Sequence, residues 1–100
     1  MLLGIGALHR LSHDEAEIKS MHTVAAARGH GVARAVLTRL LEHAQNLGIT
    51  RVSLETGSAA EFGPARELYA SAGFEVCGPF ADYVASPHNT FMTKALPHGE

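Results

Sequence analysis

A glycine-rich stretch flanked by two arginines is the part of this sequence best suited to binding a charged ligand. Gly29 and Gly31 are separated by His30, with Arg28 just before them and Arg34 three residues after. The unpaired N–H groups and the dipole at a helix start favour an anion, and glycine lets the anion approach the backbone. The same residues also suit an ordinary turn between a strand and a helix. The local sequence alone therefore leaves both interpretations open.

Two common nucleotide-binding patterns fit this stretch poorly. The nucleoside-triphosphate loop requires lysine and serine or threonine after its last glycine, but residues 32–33 are valine and alanine. The dinucleotide pattern G-x-G-x-x-G matches Gly29 and Gly31, but Arg34 stands where the third glycine is required. Glu55 does supply the acidic residue expected at the end of the next strand, so dinucleotide binding keeps some support.

The elements that must position this stretch follow from hydrophobic periodicity. Apolar residues recur at helical spacing from Gly31 until Asn46 and Gly48, which end the predicted helix. The slip in period between Ile18 and Met21 indicates a bulge in the preceding strand. The other predicted elements are strands at 2–11, 16–24, 51–57, 74–80 and 90–96 and a second helix at about 61–72. The predicted fold is an α/β (α+β), mainly antiparallel mixed sheet with a central parallel strand pair, in the order β-β-α-β-α-β-β.

The composition limits the class of protein. The chain has 100 residues, 46% of them hydrophobic and 18% charged, which predicts a single domain over residues 1–100. The net charge of −2 predicts no nucleic-acid partner and no membrane surface, since both require a basic excess. The single cysteine, Cys77, cannot form an intrachain disulfide, and the expected location is cytoplasmic.

A third phosphate-binding pattern, R/Q-x-x-G-x-G/A, is satisfied by Arg28, Gly31 and Ala33 between the predicted strand and helix. This stretch resembles the acyl-CoA loop of the GNAT superfamily, the Gcn5-related N-acetyltransferases. The segment "ARELYASAGFEVCGPF" resembles the family's A-x-x-L-Y-x-x-x-G-F helix and the strand after it. "GPFADY" and "FMTKAL" further resemble a bacterial branch of small acetyltransferases. The resemblance extends from about Gly4 to Leu96.

The resemblance implies acetyl-CoA as co-substrate and no metal. Its pyrophosphate is expected on the backbone of the loop, and its pantetheine arm along the strand before it. A backbone amide near Met21 or His22 is expected to stabilise the thioester oxyanion. The expected cofactor-binding residues are Met21, His22, Thr23, Val24, Arg28, Gly29, His30, Gly31, Val32, Ala33 and Arg34.

The resemblance also implies two catalytic residues. Tyr69 stands at the family's usual position for the acid that protonates the departing thiolate, and the reference pKa values of a phenol and a thiol, about 10 and 8.5, suit that transfer. Its helical spacing fits simple core packing equally well. Glu17 resembles the strand glutamate that acts as general base in some branches, with His22 and Glu55 as alternatives. No histidine spacing predicts a metal site, and Cys77 is expected to serve packing.

The N-terminal part of the sequence differs from the family pattern. A full family domain usually has a further strand and one or two helices before the position of Leu2. An uncovered strand edge invites pairing, which predicts a homodimer. The expected function is acetyl transfer to a primary amine of a small molecule or peptide. The alternative is an inactive module that binds CoA or another protein.

Overall fold

The computed structural model describes residues 2–3, 6–19 and 30–97, which form two α-helices and six strands. Helix α1 spans His30–Asn46 and helix α2 spans Gly63–Ser71, preceded by a single 3₁₀ turn at Ala60–Phe62. The strands are β1 Leu2–Leu3, β2 Gly6–Arg10, β3 Glu15–Lys19, β4 Arg51–Gly57, β5 Glu75–Cys77 and β6 Asn89–Ala95.

The strands form one six-stranded sheet in the order β1-β2-β3-β4-β6-β5. Strands β3 and β4, which α1 connects, are parallel, with Ala16 opposite Val52 and Ile18 opposite Leu54. The other neighbouring pairs are antiparallel. The predicted fold class, a mainly antiparallel mixed sheet with a central parallel pair, is confirmed.

The N-terminal region differs from the single strand predicted over residues 2–11. It forms two antiparallel strands in which Leu2 pairs with Ala7 and Leu3 with Gly6. Only Gly4 and Ile5 separate the paired residues along the sequence, and a glycine in a two-residue connection is a hairpin signal. This signal was missed because residues 2–11 are mostly apolar, and each short strand has too few residues to show an alternating pattern.

Both helices pack on the same face of the sheet. Side chains alternate between the two faces of a strand, so one row of even-numbered residues faces the helices. This row supplies Ile18, Leu54 and Met92 to a single buried cluster, which α1 completes with Leu37 and Leu40. The core therefore lies between the sheet and its two helices.

The opposite face of the sheet has a different composition. Glu17, Ser53 and Thr93 lie side by side there, one from each of three adjacent strands. Two aromatic residues of the β5–β6 connection, Phe80 and Tyr83, cover part of this face by packing their rings against Phe91 of β6. This face holds polar groups and has no helix on it among the described residues.

Candidate functional site

The start of α1 is the described part of the glycine-rich stretch. Helix α1 begins at His30, so the backbone N–H groups of residues 30–33 belong to its first turn and lack intrahelical partners. No acidic residue lies in that turn. Gly31 is exposed, and a Cβ added there would meet no described atom within 4 Å. Ala33 is buried in the core, which fixes the helix start against the sheet. The first turn therefore presents backbone donors to an anion without competition from a carboxylate.

Arg34 links the start of α1 to the end of α2. Its Nη2 donates a hydrogen bond to Ser71 Oγ at 3.0 Å, and Ser71 Oγ donates to the carbonyl of Leu68 at 2.7 Å. A pocket of about 240 Å³ lies beside this contact and is also lined by Pro64 and Glu67. Arg34 thus brings a positive charge close to the helix start, where the phosphate is expected.

The remaining cofactor-binding predictions fall on the strand and loop before α1. Met21, His22, Thr23, Val24, Arg28 and Gly29 lie outside the described residues, as does the bulge predicted between Ile18 and Met21. For His30 and Val32, the structure gives only their place in the helix. These residues stay predictions.

Glu17 lies in the middle of β3 and is only 4% exposed. Its neighbours Ala16 and Ile18 face the core, so its carboxylate lies on the opposite, polar face of the sheet. Tyr83 donates a hydrogen bond from its phenol to Oε2, and Lys19 Nζ lies 3.9 Å from Oε1. A buried carboxylate needs such partners, because leaving a charge unpaired away from water is very unfavourable.

Tyr83 is the residue of this site that sequence reasoning did not assign. Its phenol pKa is raised to about 12, first by the hydrogen bond to Glu17, then by burial and by the negative charges of Glu17 and Glu55. It stands 66 residues after Glu17, in a connection with no regular secondary structure. An aromatic residue in a segment otherwise rich in turn residues was the sequence signal that could have pointed to Tyr83.

A pocket of about 300 Å³ opens over Glu17. Its lining combines the Glu17 carboxylate, the Lys19 ammonium and the Tyr83 phenol with His9 and Asp82. Leu11 and Ala81 complete it. Its size suits a small molecule or one side chain, and its polar groups suit a ligand that carries an ionisable amine.

Tyr69 lies on the other side of the sheet. It is 1% exposed within the core cluster, and its ring packs edge-on against Phe74 with centroids 5.9 Å apart. Burial raises the pKa of its phenol to about 12, because the low-dielectric core disfavours phenolate. The described structure therefore does not bring Tyr69 and Glu17 together.

Glu55, the alternative base, lies on the same polar face. It is two residues after Ser53 on β4, the strand next to that of Glu17. It lines a separate pocket of about 270 Å³ with Thr56 and His88. Thr56 Oγ1 is buried and has no hydrogen-bond partner among the described residues. Arg66 of α2 donates to the carbonyl of Gly57 at 2.6 Å and so holds the end of β4.

The described residues contain no group of three histidine, cysteine or acidic side chains able to hold a metal ion. Burial raises the pKa of the Cys77 thiol, while the Arg51 charge opposes this shift. A thiol kept protonated is a poor nucleophile. In the described ranges, no helix has both the length and the apolar character to cross a bilayer.

Comparisons with known proteins place this chain among acetyltransferases. The model of the acetyltransferase (GNAT) family matches residues 2–74. The uncharacterized N-acetyltransferase YsnE of Bacillus subtilis (strain 168) is 53% identical over 95 residues, which is 95% of this chain. The chain spans 63% of the length of that relative.

Solved structures agree with the sequence comparisons. A structure named as a proposed acyl-CoA N-acyltransferase of Klebsiella pneumoniae superposes with a TM-score of 0.75 at 27% identity, covering 91% of this chain and 61% of the other. Rv2747 of Mycobacterium tuberculosis, solved in complex with CoA and NLQ, superposes with a TM-score of 0.66 at 26% identity, covering 92% of this chain and 66% of the other. On this evidence, the chain belongs to the GNAT acetyltransferase family.

Proposed function

We propose that this chain transfers an acetyl group from acetyl-CoA to a primary amine of a small molecule or peptide. The observation that carries the proposal is the buried Glu17 carboxylate, which lines a pocket of about 300 Å³ on the polar face of the sheet. A carboxylate in such a pocket can take a proton from an amine. The start of α1 supports the other half of the proposal, since its backbone donors and Gly31 suit a pyrophosphate.

Acetyl-CoA supplies an acetyl thioester when it is bound. The first turn of α1, from His30 to Ala33, would hold its pyrophosphate through backbone N–H groups, with Arg34 adding charge nearby. An added Cβ at Gly31 would meet no described atom within 4 Å. The residues present therefore fit the group, and no metal is proposed.

Glu17 and Tyr69 would act on the amine and on the departing sulfur. The attacking nitrogen loses one proton, which Glu17 takes directly or through a water molecule, while the new C–N bond forms and the C–S bond breaks. Tyr69 stays protonated at any working pH because its pKa is raised to about 12. A phenol with so high a pKa is a poor proton source for a thiolate, so we propose that Tyr69 donates a hydrogen bond to the sulfur in place of the proton transfer expected from the resemblance. The thiolate then takes its proton from water.

Two measurements test this proposal. Release of free thiol from acetyl-CoA is followed over a panel of primary amines, with Tyr69→Phe as the comparison enzyme. Thermal unfolding is followed with and without CoA, because a ligand that binds only the native state must raise the melting temperature. A shift in melting temperature without thiol release for any amine would instead identify a CoA-binding module. No shift at all would contradict the proposed cofactor site.

Gly31→Ala sharpens the test of the cofactor site. Alanine is favoured over glycine in a helix by up to about 1 kcal/mol, and the structure leaves room for its methyl group. The variant should therefore unfold at an equal or higher temperature without ligand. We expect its shift with CoA to shrink, since the methyl group keeps the phosphate away from the backbone. Gly78→Ala, where an added Cβ also meets no atom within 4 Å, is the matched control and should leave the shift unchanged.

We also propose that the chain forms a homodimer. Strand β1 lies at one edge of the described sheet, and edge strands present unpaired backbone groups to a second chain. Light scattering across a tenfold range of concentration tests this proposal, and a monomer mass throughout would contradict it. The cytoplasmic location stays a prediction.

A further inference from the structure

We propose that Tyr83 is a positioning residue of the amine site: its phenol holds one oxygen of the Glu17 carboxylate, so that the other oxygen faces the pocket as the proton acceptor. This inference rests on the proposed acetyl transfer. It assigns a role to the β5–β6 connection, whose residues contribute no side chain to the helix-side core.

The first step is the geometry of the carboxylate. Tyr83 donates to Oε2, whereas the partner that the described residues offer to Oε1 is the more distant Lys19 ammonium at 3.9 Å. The Glu17 side chain is 5% exposed and that of Lys19 is 50% exposed. The two oxygens are therefore not equivalent. The phenol occupies one of them, and the other is the oxygen that an incoming amine, or a water between them, can meet.

The second step is how Tyr83 itself is held. Its ring packs against Phe80 and Phe91, with centroids 5.1 Å and 5.6 Å away, and Phe80 also packs against Phe91 at 5.8 Å. Its backbone N–H donates to the carbonyl of Phe80 at 3.0 Å, which closes a tight turn. The phenol thus projects toward Glu17 from a rigid aromatic base. Because this side chain is already ordered, it can orient another group without a further loss of its own conformational entropy at each turnover.

The third step is chemical. A general base works best when it is held in one orientation toward the proton that it takes, and the hydrogen bond from Tyr83 fixes the carboxylate in this way. The groups that face this pair across the pocket are Lys19 and His9, with Asp82 at the rim and the charge of Glu55 nearby. Removal of the phenol hydroxyl should leave the carboxylate without a fixed orientation toward the pocket and slow proton transfer to it.

Tyr83→Phe tests the inference, because it keeps the ring and removes only the hydroxyl. We expect kcat/KM for the amine to fall roughly tenfold, from the strength of hydrogen bonds to charged groups. We expect the KM for acetyl-CoA to be unchanged. In a Glu17→Gln background, the same change should have no further effect, since Tyr83 acts through Glu17. Full activity of Tyr83→Phe, or equal losses in both backgrounds, would overturn the inference.

A spectroscopic measurement separates failure of this inference from failure of the proposed function. The chain has two tyrosines and no tryptophan, so Tyr69→Phe leaves Tyr83 as the single phenol. Its ionisation is followed by absorbance near 295 nm, with far-UV circular dichroism showing that the protein stays folded. We expect a midpoint near the value of about 12 and a fall toward the ordinary value of about 10 when Glu17→Gln is added. A midpoint that does not respond to Glu17→Gln would show that the two side chains are not in contact, whether or not any amine is acetylated.

Discussion

The two faces of the sheet bury residues for different purposes. On the helix side, Leu54 and Met92 meet α1 and α2 in a continuous apolar core. On the other side, Glu17 is buried almost as deeply, at 4% exposure against 2% for Leu54, yet its neighbours are a phenol and an ammonium. Depth of burial therefore does not distinguish the two faces. Their chemistry does: one face stabilises the fold, and the other holds a charge whose desolvation the fold must tolerate.

The comparison predicts the largest effect on stability at the helix-side core. Leu40 is fully buried in α1, and Leu40→Ala should lower the free energy of unfolding by about 2–5 kcal/mol, from lost transfer energy and the cavity left behind. Leu47→Ala, at a position 44% exposed, is the matched control and should change stability by less than about 1 kcal/mol. Urea unfolding measures both, and equal effects would contradict the assigned core.

On the polar face, the largest expected effect is on activity. Glu17→Gln should lower kcat/KM about a hundredfold, since a positioned general base typically contributes at least that much, while the KM for acetyl-CoA stays unchanged. Glu61→Gln, at an exposed position of the 3₁₀ turn and outside the three pockets described above, is the control and should retain the activity. Steady-state kinetics with the amine that gives the highest rate in the panel measures kcat/KM for both variants. A fully active Glu17→Gln enzyme would remove Glu17 as the base.

Alkaline pH tests the burial of Tyr69 in the helix-side core. Its raised pKa, about 12 against about 10 when unfolded, means that the unfolded chain releases its proton first as pH rises. The stability contributed by keeping the phenol neutral is complete below pH 10 and is lost between pH 10 and 12, by about 1.4 kcal/mol per pH unit. Urea unfolding at pH 9, 10 and 11 should show this loss in the native sequence relative to Tyr69→Phe. Parallel curves for the two proteins would contradict the burial of the phenol.

The smallest expected effect concerns the turn that carries Tyr83. Ala81 has a φ of +51°, in the left-handed region that non-glycine residues rarely adopt. Ala81→Gly should relieve this strain and raise the free energy of unfolding by up to about 1 kcal/mol. Ala85→Gly, in the same connection, lacks a positive φ and should be neutral or destabilising. Thermal unfolding of both variants tests the turn, and destabilisation by Ala81→Gly would contradict its backbone conformation.

The parts of the fold that sequence reasoning predicted are those with a strong local signal. Helix α1 has a full apolar stripe, and Gly48, with a φ of +82°, lies just after its end as expected of a helix terminus. The N-terminal hairpin was missed because strands of two and five residues give no readable period. The burial of Glu17 was likewise not predictable, since strand glutamates usually face solvent and only a distant partner makes burial tolerable.

The sequence by itself determined the order of elements from β3 onward, the glycine-rich helix start and the family pattern, because spacing and turn chemistry are local properties of the chain. The tertiary structure alone decided which face of the sheet each catalytic candidate occupies. It assigned Tyr69 to the core and Glu17 to the polar pocket. It also brought Tyr83 to Glu17 across 66 residues of sequence. A contact of that kind depends on strand register and on one tight turn. Neither can be inferred from the types of the two residues that the fold brings together.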